Sequence, residues 1–293
     1  MPRYLIAVAA VAIVSVSSLT ASALDVTSCE QLVPKGQTGE LQNDLNCAGE
    51  ASGVGLDDRA TLRLNGHRVT GPTTLPLINA LGSATIVGPG ELSGSPETAC
   101  VQAVGNLVVD GGVDGLDVHG CSDGIDGLKT ARLSNVTVHD NAQIGIYAPR
   151  LVATNVSSTG NNFGLIANAS LKATSVTLAG NRSGGINSTR NVKLVDSTID
   201  GSGVYGIIAS QVTMTDSSVS NSGGVGVIAK AVTLKHSSVT GTGSLPQYLP
   251  ANTDLHTQKK PKLLRDSTCG KSWATPPPND AGTGSSWGVC AND

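Results

Sequence analysis

Val204-Tyr205-Gly206-Ile207-Ile208-Ala209-Ser210-Gln211-Val212-Thr213-Met214-Thr215-Asp216-Ser217-Ser218-Val219 is followed, one repeat later, by Gly224-Val225-Gly226-Val227-Ile228-Ala229-Lys230-Ala231-Val232-Thr233-Leu234-Lys235-His236-Ser237-Ser238-Val239. The two stretches align without a gap at an offset of 20 residues. Upstream, Gly124-Ile125, Gly145-Ile146, Gly164-Leu165 and Gly185-Ile186 lead into Gly206-Ile207 and Gly226-Val227 at intervals of 19 to 21 residues. A second row runs Val118, Val138, Ser158, Leu178, Ile199, Val219, Val239, and a third runs Ala131, Leu151, Leu171, Val192, Val212, Val232. The segments between are short, β-branched and alternating, which is a strand pattern and not a helical one. Leucine-rich repeats share the period but need a dense Leu framework, absent here. Three short strands per repeat, with like residues stacking on like at roughly 4.8 Å per coil, predict an all-β, right-handed parallel β-helix.

Composition fits a narrow solenoid. The 293 residues include 36 Gly and only 7 aromatics (2 Trp, 4 Tyr, 1 Phe), with 39% hydrophobic and 14% charged. The core must therefore be filled by small aliphatics, while turns draw on Gly, Asn and Asp, which tolerate positive φ. Hydrophobic content excludes composition-driven disorder. A net charge of −3 supplies no basic surplus for a dedicated nucleic-acid binder.

Residues 1–23 read as a secretory signal: basic Arg3, an apolar run from Tyr4 to Val16, and Ala21-Ser22-Ala23 as a small-x-small cleavage site. Val26-Thr27-Ser28-Cys29 is a loose lipoprotein box, but Asp25 disfavours lipid anchoring through Cys29. No other apolar stretch is long enough to span a bilayer. Six cysteines in an exported chain suggest disulfides. They fall into local pairs, Cys29 with Cys47, Cys100 with Cys121 and Cys269 with Cys290, although sequence alone leaves connectivity open. Cys100 and Cys121 lie one coil apart, where a disulfide can form.

Regular coils are expected over 59–243, roughly nine turns, with an N-terminal cap over 24–58 and a C-terminal cap or tail over 244–293 that contains Trp273 and Trp287. Caps are required because open solenoid ends expose strand edges. Two polar rows read as structural ladders: Asn135, Asn155, Ser175, Asp196, Asp216, and Asn141, Asn161, Asn181, Ser202, Ser222. Outward Ile166, Ile208 and Ile228 form an apolar stripe that the tail is expected to cover.

The best concentration of chemistry lies between Asp110 and Asp140. Stacking places His119 beneath His139, with Asp117 on the same strand face, Asp126 against Tyr147, and Lys129 against Arg150. Asp117, His119 and His139 are the candidate catalytic set, able in principle to abstract a proton beside a uronate carboxylate or assist glycosidic cleavage. Asp123, Asp126, Tyr147, Lys129 and Arg150 are candidate ligand-binding residues. The competing reading is that Asp is an ordinary turn residue and outward His is solvated. Lys129, Arg150, Arg190 and Lys230 recur near one turn and suggest a basic stripe for an anionic glycan.

The repeat ladder, Cys29 with Asp44-Leu45-Asn46-Cys47 ahead of Leu62-Arg63-Leu64-Asn65-Gly66-His67, and the ending Cys269-Gly270-Lys271-Ser272 with Trp287-Gly288-Val289-Cys290 resemble exported bacterial right-handed parallel β-helix repeat proteins of the pectate-lyase-like superfamily. That resemblance implies fold more than activity, because the superfamily includes polysaccharide lyases, galacturonases, uronate epimerases and adhesins. Asp123-Gly124-Ile125-Asp126-Gly127 is similar to one acidic galacturonase motif, but the partner motifs are missing, as is the epimerase Asp-Pro-His. A calcium-dependent lyase would call on Asp117, Asp123 and Asp126; no cofactor is otherwise expected to be required. The expectation is a secreted, extracellular or periplasmic protein whose partner is a polysaccharide, most simply an acidic one, and not nucleic acid. The alternatives are a polysaccharide lyase or uronate epimerase, and a non-catalytic structural or adhesive envelope protein.

Overall fold

A computed structural model describes residues 23–243, 253–274 and 284–293; the expected signal sequence lies outside the described residues except for residue 23. The chain winds as a parallel β-solenoid of about 11 turns. Each full coil contributes to three parallel ladders. The histidine ladder passes through Leu116–His119, the glycine ladder through Asp123–Gly127, and the lysine ladder through the first half of Thr130–His139. Within Thr130–His139 a single residue, Asn135, turns the chain from the lysine ladder into the next rung of the histidine ladder, at φ 55°. Asn155, Ser175, Asp196, Asp216 and His236 repeat that left-handed bend at φ between 46° and 53°. The exposed polar row is therefore a column of bends, filled by residues whose short polar side chains reduce the penalty of positive φ.

The coils run further than the sequence pattern indicates. Leu24–Val26 pairs with Thr38–Leu41, and Leu32–Val33 with Val54–Leu56, so the segment expected as an N-terminal cap already belongs to the ladders. At the other end Leu255–Thr257, Lys262–Leu264 and Thr268–Cys269 pair in parallel with the coil before them, and Ser272–Ala274 stacks on Leu255–Thr257. Terminal coils escaped the count of roughly nine because their turns differ in length, which breaks the period while backbone pairing persists.

The three aliphatic rows form the core. Ile125, Ile146, Leu165, Ile186, Ile207 and Val227 are all at most 1% exposed, and the other two rows are buried with them. The recurrent glycines serve close approach, not the positive φ expected of turn residues. A Cβ on Gly145 would lie 2.3 Å from Ser158 Oγ and 2.7 Å from the Gly164 carbonyl oxygen. What occupies that space is an internal polar ladder. Asn141, Asn161 and Asn181 are fully buried. Asn161 Oδ1 accepts the Asn141 backbone N–H at 2.9 Å and its Nδ2 at 3.0 Å, and Asn181 Oδ1 accepts the Asn161 N–H at 3.1 Å. Each buried amide thus satisfies backbone groups that a turn would otherwise leave orphaned. A second internal ladder, Ser197–Ser217–Ser237–Ser267, bonds hydroxyl to N–H from coil to coil.

All three local cysteine pairs are disulfides, with Cα–Cα distances of 5.7, 5.6 and 4.9 Å for Cys29–Cys47, Cys100–Cys121 and Cys269–Cys290. Three disulfides mark an oxidising environment, and the bond to Cys47 occupies the Cys29 sulfur that lipidation would use. No helix among the described residues is long and apolar enough to cross a membrane.

Candidate functional site

The sequence-predicted residues divide among separate faces. On the histidine ladder, strand pairing puts Glu91 beside Asp117 and His119 beside His139. The two imidazole rings stack with centroids 4.8 Å apart and planes 13° from parallel. Each ring reaches back to an acid on the preceding coil: His119 Nε2 lies 3.4 Å from Glu91 Oε1, and His139 Nε2 lies 3.1 Å from Asp117 Oδ1. His139 Nδ1 also meets Asp140 Oδ2 at 2.8 Å. Burial lowers the His139 pKa, but hydrogen bonds and charge from Asp140 and Asp117 outweigh it, and the net shift is upward. Asp117, His119 and His139 are therefore neighbours on adjoining coils, as expected from the stack.

Asp117 also lines an open cleft of about 400 Å³ together with Arg68, Glu91, Asp114 and Thr137. Arg68 pairs with Glu91 at 3.2 Å. Two smaller clefts continue along the same bend column, one against Asn135, Asn155 and Thr177, the other against Thr198, Asp216 and His236. Glu91 was not singled out in the sequence, although it precedes Asp117 by 26 residues, a longer coil than the regular repeat. That irregular length hid the register.

The remaining candidates sit elsewhere. Asp123 and Asp126 face outward on the glycine ladder, so they do not join Asp117 in one carboxylate cage for calcium. Asp123 Oδ1 accepts the Ile144 N–H at 3.0 Å, and burial, opposed by that bond and reinforced by the Asp126 charge, raises its pKa. Asp126 accepts from Gln102 Nε2 at 3.1 Å, and it pairs with Tyr147 as predicted. The Tyr147 hydroxyl accepts from Asn168 Nδ2 at 2.9 Å. Beyond Tyr147 the same row holds Ile166, Asn187, Ile208 and Ile228, so the apolar stripe is broken once, at Asn187. His256 and then Trp273 continue that row, so these residues of the tail extend the stripe instead of lying across it.

Lys129 does not stack on Arg150. Arg150 pairs with Thr130, one residue out of the expected register. Both cations are exposed and belong to a larger pattern at the entry to the lysine ladder. The outward row of that ladder runs Arg132, Val152, Lys172, Lys193, Thr213, Thr233 and Lys262. Beside it, at the entry to the ladder, lie Lys129, Arg190 and Lys259 in turns and Lys230 within the strand Val225–Lys235. From Lys129 onward, among the described residues, no Asp or Glu stands on this ladder or in the turn that enters it. The acids of these coils lie in the bends, at Asp196, Asp216 and Asp266, around the turn leaving the histidine ladder, at Asp140 and Asp200, or just ahead of Leu255–Thr257, at Asp254. Arg132, Lys172 and Lys193 were missed in the sequence, though their spacing of 40 and 21 residues keeps the repeat.

No family model matches the chain, and no curated protein matches it. Among solved structures the chain is similar to tailspike protein 2 of the Escherichia coli bacteriophage CAB120, at 12% identity and a TM-score of 0.35. The similarity covers 84% of this chain and 38% of that one, so the chain spans well under half of the tailspike's length.

Proposed function

We propose that this chain is an exported β-solenoid that holds an acidic polysaccharide along its lysine ladder. The carrying observation is charge segregation: in a chain of net charge −3, one face from Lys129 onward carries cations without acids. Coils stack at about 4.8 Å, so the face presents cations in adjacent columns parallel to the solenoid axis, on every coil from Lys129 to Lys262 except the one through Tyr205–Thr215. Duplex DNA presents one phosphate per ~1.7 Å of axis, far denser than this array. An extended chain of uronate sugars carries one carboxylate per ring, a repeat comparable to the rise of a coil. The resemblance to exported proteins of the pectate-lyase-like superfamily supports a carbohydrate partner. Catalysis fits less well, because His139, the base a lyase or epimerase would use, is already tied to Asp117 and Asp140.

Titration with polygalacturonate or alginate should show saturable binding that weakens steeply with salt, while neutral dextran should not bind. The double substitution Lys172→Glu and Lys193→Glu should weaken affinity by at least tenfold and flatten the salt slope, each lost contact removing roughly one released counterion. Equal affinity for dextran, or a double variant indistinguishable from the parent, would refute the proposal.

A further inference from the structure

The histidine ladder carries a different capability, independent of the cationic face. Asp117 Oδ2 meets His139 Nε2 in a hydrogen bond of 3.3 Å, whereas its Oδ1 is buried without a hydrogen-bond partner among the described residues. Its near neighbour is His139 Nε2 at 3.1 Å. Two ligands bound to one zinc-sized ion at about 2.0–2.2 Å each, with the angle between them at 90–110°, stand roughly 3.0–3.5 Å apart. The carboxylate and imidazole are thus already at the bite of a shared metal. The donor atoms of Asp117, His119 and His139 all lie within 4.8 Å of one another.

His119 is the ligand that must move. Parallel rings direct their in-plane lone pairs side by side, so His119 has to tilt out of its stack on His139 for its nitrogen to converge. Its side chain is 28% exposed, and its contact with Glu91 is long at 3.4 Å, so little holds it in place. His139 needs no such adjustment. The Asp140 carboxylate at Nδ1 orients the ring with Nε2 toward Asp117, the outer-shell arrangement that fixes tautomer and raises basicity in histidine metal sites.

We propose that Asp117, His119 and His139 bind one divalent first-row transition ion of the zinc class in a three-ligand site open to the adjacent cleft. Two imidazoles select zinc, cobalt, nickel or copper over calcium and magnesium, which take oxygen donors. The cleft lined by Arg68, Glu91 and Asp114 leaves room for a water or ligand oxygen at the remaining position, as an open site requires.

The test is calorimetric titration of the full, chelator-treated protein with zinc, paralleled by the visible absorption of cobalt. One equivalent should bind, with a cobalt spectrum of low coordination number. His119→Ala and His139→Ala should each weaken binding at least tenfold, and Asp140→Asn by 10–100-fold. His139→Gln serves if an alanine variant misfolds, with thermal melts reporting integrity. Excess calcium should not compete. Absence of saturable uptake, parental affinity in the double histidine variant, or stoichiometric displacement by calcium would overturn the assignment. Polygalacturonate binding should be unchanged in these variants, so failure here and failure of the cationic-face proposal are separable.

Discussion

At Gly164 a Cβ would stand 2.7 Å from the Gly185 carbonyl oxygen and 2.9 Å from Asn181 Nδ2. Neither neighbour can retreat, because one is backbone and the other belongs to the buried amide ladder. Gly164→Ala should therefore destabilise the fold by about 1–3 kcal/mol, as overpacking does, measured as a loss in denaturant midpoint. Gly127→Ala is the internal comparison. The nearest atoms to its Cβ lie at 3.5–3.7 Å, ordinary contact, so its midpoint should stay near the parent value. The regular glycines were visible in the sequence as the strongest repeat, but their reason was not. Spacing reveals that a position is constrained, whereas only the neighbouring coil reveals that the constraint is a carbonyl and an amide. The same holds for Asn141, Asn161 and Asn181, whose recurrence announced a ladder without showing that it faces inward.

Between elements, register follows from backbone pairing and not from counting. Coils of 20 and 21 residues absorb their extra residue in turns, and so Lys129 and Arg150 slip by one while Asp126 and Tyr147 hold. Cys100–Cys121 ties adjacent coils with a sequence separation of 21. Replacing both cysteines by serine should lower stability by about 2–4 kcal/mol, with equilibrium unfolding of oxidised parent and double variant as the comparison. The last described segment is clasped by a different device. Asp293 accepts hydrogen bonds from the backbone N–H groups of Cys290, Val289 and Ser272 and from the Ser272 hydroxyl. Burial raises its pKa, but these bonds, led by Cys290, outweigh that and hold it at about 2, against an ordinary 3.8. A depressed carboxylate stabilises the fold fully above its unfolded value and loses that contribution as pH falls through the folded one. Hydrogen-exchange protection around Ser272, taken relative to the intrinsic rate at each pH, should accordingly fall between pH 4 and 2, and Asp293→Asn should abolish the acid step. Parental acid dependence in that variant would place the titrating group elsewhere.

Across the whole molecule, the architecture was readable because a solenoid writes its cross-section into every repeat. Val118, Ile125 and Ala131 sample three walls of the same coil, and their descendants a coil later repeat the sample. Function is not written that way. The Asp117–His119–His139 group was legible because all three residues fall within two regular coils. Arg68 and Glu91 enter from longer, irregular coils whose offset no short-range pattern discloses. The cationic face was only half legible: the turn column was seen, whereas Arg132, Lys172 and Lys193 are single charges in separate strands. They become a line only after the coils are stacked.

The one-residue bend at Asn135 and its successors makes each coil a self-contained rung, paired only with the rungs above and below. A rung can in principle be removed whole, since Asn161 would then stand where Asn141 stood. Coil number therefore acts as a ruler: it sets the reach of the charged line without redesign of any single contact.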